Sequence, residues 1–176
     1  MLEYFGQIPI IVRSSSFLED GFKSAFAGKY DSVFCASKVD PIKRLERFED
    51  AIRRVYASMM STSVLEYRKK RQMDKTDEQM AILVQRVSGT KFDNYYMPCV
   101  AGIGFSYSLY RWSAELNPNA GMLRLVAGLG TKAVDRTGYD YPRLVNLDVP
   151  EKTTLVTDEE KHRYSQRFID VIDLDE

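Results

Sequence analysis

Pro9-Ile10-Ile11-Val12 is a short apolar, β-branched run that reads as a buried strand and delivers the chain into the polar cluster Arg13-Ser14-Ser15-Ser16 at the strand end. Phe17 to Gly28 mixes acidic residues with Gly21 and Gly28 and has no clean period, so a loop is expected there. Lys29 to Phe34 alternates as a strand with one face more buried. Asp40 and Pro41 then have the form of an N-cap and first helical residue. Ile42, Leu45, Phe48, Ile52, Val55, Tyr56 and Met59 follow at spacings of three and four, which predicts an amphipathic helix. Ser63-Val64-Leu65-Glu66 has the arrangement of a capping box and predicts a second helix from Ser63 that fades between Arg71 and Glu78.

Met80 to Val87 is apolar almost throughout, as expected of a strand buried on both faces. Val100 to Tyr107 reads as another strand, in which Gly102 and Gly104 mark a bulge or a close backbone approach. Met122 to Ala127 is a third such run, ending in Gly128-Leu129-Gly130. Thr157-Asp158-Glu159-Glu160 can cap a short helix, and Arg167 to Leu174 suits a last strand. Helices and strands are interspersed without repeats, so the fold class is α/β or α+β.

Composition narrows the function classes. At 176 residues one sizeable core is expected, in one domain with room for two lobes. Lys plus Arg and Asp plus Glu each number 25, so no global field draws the chain to nucleic acid or an anionic membrane, and a phosphate site has to be local. No run is long enough to span a bilayer and the first residues lack signal-peptide character, which leaves a cytoplasmic protein as the expectation. Cys35 and Cys99 have no metal-ligand spacing and read as ordinary thiols. His162, the sole histidine, lies in a charged stretch and reads as an exposed side chain.

Arg13 is the first candidate for chemistry. A guanidinium at a strand end beside hydroxyls and backbone N–H groups can hold phosphate through two parallel hydrogen bonds, although read alone it is more often a surface arginine in a serine-rich turn. Its neighbours add to it. Val12-Arg13-Ser14-Ser15-Ser16, Glu19-Asp20, Ser24-Ala25-Phe26-Ala27-Gly28 and Tyr30-Asp31 together resemble the V-R-S-S-A, E-D and S-F-A-G signature of the nucleotide-binding domain in the phosphoenolpyruvate synthase/pyruvate phosphate dikinase family. Ala57-Ser58, Tyr67-Arg68, the strand from Met80 to Val87, Ala101-Gly102-Ile103-Gly104-Phe105-Ser106 and Gly128-Leu129-Gly130 continue the resemblance in order, from about Ile10 to Arg136.

The resemblance implies an α+β, ATP-grasp-like fold: a mixed or antiparallel sheet with packed helices, here an incomplete module. Residues 1–176 would be part of the ATP-binding domain of a larger multidomain phosphotransferase. It implies that Arg13, as the catalytic cation, and Ser14 contact the ATP phosphates, and that the loop carrying Ser24, Ala27 and Gly28 folds over them. Gln85, Arg86 and Val87 would form the hinge that meets the adenine edge; read alone, Val87 is core and the other two are solvated strand-end groups. Glu19 and Asp20 could organise Mg2+ or orient Arg13, or could fix the loop through its own backbone. Most metal ligands are expected outside this chain, as are the family's ATP-contacting lysine and its metal-binding acidic pair. Thr131 stands where many members carry glutamate.

The implied reaction passes a phosphoryl group from ATP to a histidine on another domain and then to pyruvate, with this chain alone inactive. Two alternatives stay open: the same module serving another acceptor, such as an antibiotic or a glucan, and a non-catalytic nucleotide sensor.

Overall fold

The computed structural model describes residues 2–19, 28–36, 40–108, 110, 113–134, 139–153 and 155–175. The fold is α+β, and it divides into two compact units, Met1–Ser88 with Ile172–Glu176, and Gly89–Val171.

The first unit runs α1 (Leu2–Phe5), β1 (Ile10–Ser16), β2 (Ser32–Cys35), α2 (Pro41–Ser58), α3 (Thr62–Lys70) and β3 (Met80–Arg86). Its antiparallel sheet has the order β2-β1-β3, with Val12 opposite both Val33 and Val84. Because side chains alternate across a strand, Ile10 and Val12 share one face with Val33, Cys35, Ile82 and Val84, and this face packs on Phe48, Ala51 and Val55 of α2. The Asp40 carboxylate accepts from the Ile42 N–H with Pro41 following, as the capping pattern predicts.

Several expectations shift. Arg13 to Ser16 lie inside β1 rather than beyond it. The buried face of α2 runs through Arg44, Phe48, Ala51, Val55 and Ser58, turning Ile42 (69% exposed) and Leu45 (48%) outward. Arg44 is buried, and its Nη1 donates to the Gly6 carbonyl at 2.5 Å, tying α2 to the turn after α1. The next helix starts at Thr62 after Ser61, so Ser63 is not its cap. β3 is buried on one face only: Met80, Ile82 and Val84 face α2, whereas Ala81, Leu83 and Gln85 are exposed.

The second unit holds a hairpin, β4 (Thr90–Phe92) and β5 (Tyr95–Met97), turning through Asp93 in the left-handed region (φ 53°). It also holds an antiparallel sheet of order β6-β7-β8: β6 (Ala101–Phe105), β7 (Met122–Val126) and β8 (Arg143–Asn146). A Cβ at Gly102 would run into the Arg124 carbonyl, so the close approach expected of that glycine is what its position on the β6–β7 ladder requires. Between the sheet strands sit α4 (Thr131–Val134) and, after them, α5 (Asp158–Arg163), where Thr157 and Glu160 form a complete capping box. The expected last strand shrinks to β9 (Ile172–Asp173).

Candidate functional site

The odd-numbered positions of β1 and β3 carry the site. Arg13 pairs with Leu83 and with Ser32, and Ile11 pairs with Gln85 and with Phe34. Ile11, Arg13, Ser15, Ser32, Phe34, Ala81, Leu83 and Gln85 therefore share one sheet face, and each is exposed or half-buried. This is the face opposite α2. Its apolar members explain why β3 reads as a two-faced buried strand: one face packs on a helix, and the other is an apolar surface left open.

Arg13 stands at the centre of that face, and among the described residues its guanidinium has no hydrogen-bond or ion-pair partner. Gln85 is its diagonal neighbour on the adjacent strand. A free guanidinium and an amide over apolar ground can pair with an oxyanion and with a polar heteroaromatic edge at once.

The other predicted residues divide. Ser14 points to the covered side, where its hydroxyl donates to Glu19 Oε1 at 3.0 Å, and the Glu19 N–H donates to Ser16 Oγ at 3.2 Å. Ser14 and Glu19 thus close the turn after β1 rather than joining Arg13. The Glu19 carboxylate sits within electrostatic reach of Tyr30, whose hydroxyl is pushed up to about 12 by burial and by the negative charges of Glu78 and Glu19, against the opposing pull of Arg68. Gly28 is exposed at φ +74°, a backbone state that L side chains rarely adopt. Ser24, Ala27 and Asp20 lie outside the described residues.

The three hinge candidates do not converge. Gln85 faces the open side. Arg86 faces the other way, donating through Nη2 to the Tyr4 carbonyl at 2.6 Å with its guanidinium 5.1 Å from the Tyr4 ring centre, so it anchors α1. Val87 is buried and its N–H donates to the Pro9 carbonyl at 2.9 Å, which leaves that donor unavailable to a base.

Pattern reading missed a charged network in the second unit. Lys132 Nζ lies 3.0 Å from Asp140 and 3.7 Å from Asp170, the Arg167 N–H donates to Asp140 at 2.6 Å, and the Thr131 hydroxyl donates to Asp170 at 2.5 Å. Burial alone would raise the Asp140 carboxyl, but the Arg167 N–H and the Lys132 ammonium outweigh it and hold it below the ordinary value. Lys132 is raised, chiefly by its hydrogen bond to Asp140. Gly128, at φ +81°, lets the chain pass where a Cβ would lie 2.6 Å from the Asp170 carbonyl. Thr131 is therefore employed in holding the Gly128-Leu129-Gly130 turn. His162 is exposed on α5.

Among the described residues, no group of three or more His, Cys, Asp or Glu side chains is arranged to hold a metal ion. Among the same residues, no helix is long and apolar enough to cross a membrane.

Fold and site together define an α+β protein whose antiparallel sheet is backed by a helix on one face and presents on the other an arginine with no partner among the described residues. Residues 1–173 match the family described as pyruvate phosphate dikinase, AMP/ATP-binding domain, and the chain belongs to that family. No curated protein matches it.

Proposed function

We propose that this chain is the ATP-binding module of a larger phosphotransferase of the phosphoenolpyruvate synthase/pyruvate phosphate dikinase type, and that ATP lies against the open face of the β2-β1-β3 sheet. The observation that carries the site is the Arg13 guanidinium, unpaired among the described residues, beside Gln85 on a largely apolar, solvent-facing surface that also carries Ser15 and Ser32. In this reading Arg13 pairs with the phosphates and neutralises charge there, Gln85 meets the adenine edge, and Ile11, Phe34 and Leu83 give the base an apolar floor. The segment from Ser24 to Gly28 covers the phosphates, its glycine permitting close backbone approach. An ATP-grasp-like fold, a cytoplasmic location and Mg2+ bound mainly by residues outside this chain belong to the same reading.

When bound, ATP supplies the phosphoryl group. The role of this chain is to hold and orient it, since phosphoryl transfer depends chiefly on positioning and charge neutralisation. Transfer to a histidine on another domain and then to pyruvate completes the reading, so the chain alone should bind without turnover. Another acceptor, such as an antibiotic or a glucan, would use the same face. A sensor without turnover would also use it.

Calorimetric titration with ATP and magnesium tests the site. Arg13→Ala should weaken binding by about tenfold or more while leaving the unfolding midpoint unchanged, because the side chain is exposed and unpartnered. Arg86→Ala should do the reverse, lowering stability through the lost anchor to Tyr4 with little effect on ATP. Equal ATP affinity in wild type and Arg13→Ala would sink the assignment.

A further inference from the structure

The second unit contains a cleft of about 700 Å³, bounded by the ends of β7 and β8 and by Thr153, Leu155, Lys161 and Tyr164 to Gln166. That volume suits a small organic molecule. Leu125, Leu144, Leu155, Pro142 and the ring pair Tyr141–Tyr164 give it apolar and aromatic walls, the two rings meeting edge to face at 5.3 Å and 83°.

The polar groups of the lining are largely committed to the fold. Gln166 pairs with the Ala127 backbone in both directions, accepting its N–H at 2.7 Å and donating to its carbonyl at 2.9 Å. The Ser165 hydroxyl donates to the His162 carbonyl, the Thr153 hydroxyl accepts from the Leu155 N–H, and Lys161 is paired with Asp158 at 2.9 Å. Arg143 is different. It lines the cleft from β8, and among the described residues its guanidinium has no hydrogen-bond or ion-pair partner.

An apolar, aromatic-walled slot with a cation that has no partner among the described residues is complementary to a molecule with an aromatic or branched aliphatic body and a single anionic group. We propose that this cleft is a second small-molecule site, distinct from the sheet face around Arg13, and that it takes an amphipathic organic monoanion with its acid group on Arg143 and its body against Tyr141 and Tyr164. The walls supply contact area. Arg143 supplies orientation and selects for charge.

Two fluorescent probes with the same aromatic body separate these contributions: 8-anilinonaphthalene-1-sulfonate, which is anionic, and N-phenyl-1-naphthylamine, which is neutral. The sulfonate should bind the folded chain at one site, and Arg143→Ala should weaken it about tenfold while changing the neutral probe by less than about twofold. Leu125→Trp, at the position opposite Arg143 on the same sheet face, fills the cleft and should remove both. Far-UV circular dichroism checks that each variant is folded, and Arg143→Ala, an exposed position, remains informative if the filled variant is not. The proposal is overturned if the sulfonate does not bind, if Arg143→Ala affects both probes alike or neither, if a folded Leu125→Trp still binds, or if millimolar ATP displaces the sulfonate. Only the ATP arm draws on nucleotide binding; the arms that substitute residues of the cleft do not depend on whether ATP binds at Arg13.

Discussion

Asp140 and Lys132 form a charge pair that the folded state stabilises from both sides of the pH scale. The Asp140 carboxyl titrates below its unfolded value, so its contribution is present above the ordinary aspartate range and is lost as pH falls through the folded value. Lys132 titrates above its ordinary value, so its contribution is present at neutral pH and is lost as pH rises through the raised value. Urea midpoints measured from pH 3 to 7 should fall on the acid side for wild type, and Asp140→Asn should be less stable at pH 7 with a flatter acid limb. Parallel acid limbs would show that Asp140 contributes no linkage. Little of this was legible beforehand, because residues 132, 140 and 170 meet only after the chain has folded. The same limit separates Arg13 from Arg86. Both end up exposed on neighbouring strands, yet strand parity leaves one without a partner among the described residues and directs the other to the Tyr4 carbonyl.

At the scale of elements, α2 shows what periodicity does and does not specify. Asp40, Pro41 and the three-four spacing place the helix correctly, but two apolar stripes run along it, and spacing alone does not choose between them. The sheet does: Ile10 and Val12 meet Phe48, Ala51 and Val55, so that stripe is buried and the one with Ile42 and Leu45 is left in solvent. Phe48→Ala should therefore cost about 3–5 kcal/mol, whereas Leu45→Ala should stay within about 0.5 kcal/mol, both read from urea unfolding. Comparable losses at the two positions would mean that the helix is rotated. The α5 capping box was legible because Thr157 and Glu160 satisfy each other locally. The supposed box at Ser63 failed because the helix begins one residue earlier, where the Ser61 side chain makes no capping bond. The β4–β5 hairpin and β8 escaped notice, being strands of three or four residues whose pairing partners, rather than their own pattern, define them.

For the molecule as a whole, membership of the pyruvate phosphate dikinase AMP/ATP-binding family sets the nucleotide class, and the acceptor belongs to the function proposed above. If the chain serves a larger phosphotransferase as proposed, Arg13→Ala in that protein should reduce ATP-driven formation of phosphoenolpyruvate from pyruvate by about a hundredfold or more, the scale of losing a preorganised cation at the phosphates. A parent that binds ATP through Arg13 but shows no pyruvate-dependent turnover would favour another acceptor or a sensor. By itself the sequence determined the family, the α+β class, the bounds of α2, β3, β7 and α5 to within a few residues, and Arg13 as the leading candidate. These rest on local periodicity, caps and ordered motifs, all of which act over a few residues of chain. Only the tertiary structure decided which helix stripe is buried, which face of the sheet stays open, that Val87 and Arg86 are already bonded, and that Lys132, Asp140 and Asp170 come together. Those outcomes depend on strand register and parity between segments tens of residues apart, where a shift of one residue would turn every side chain to the opposite face.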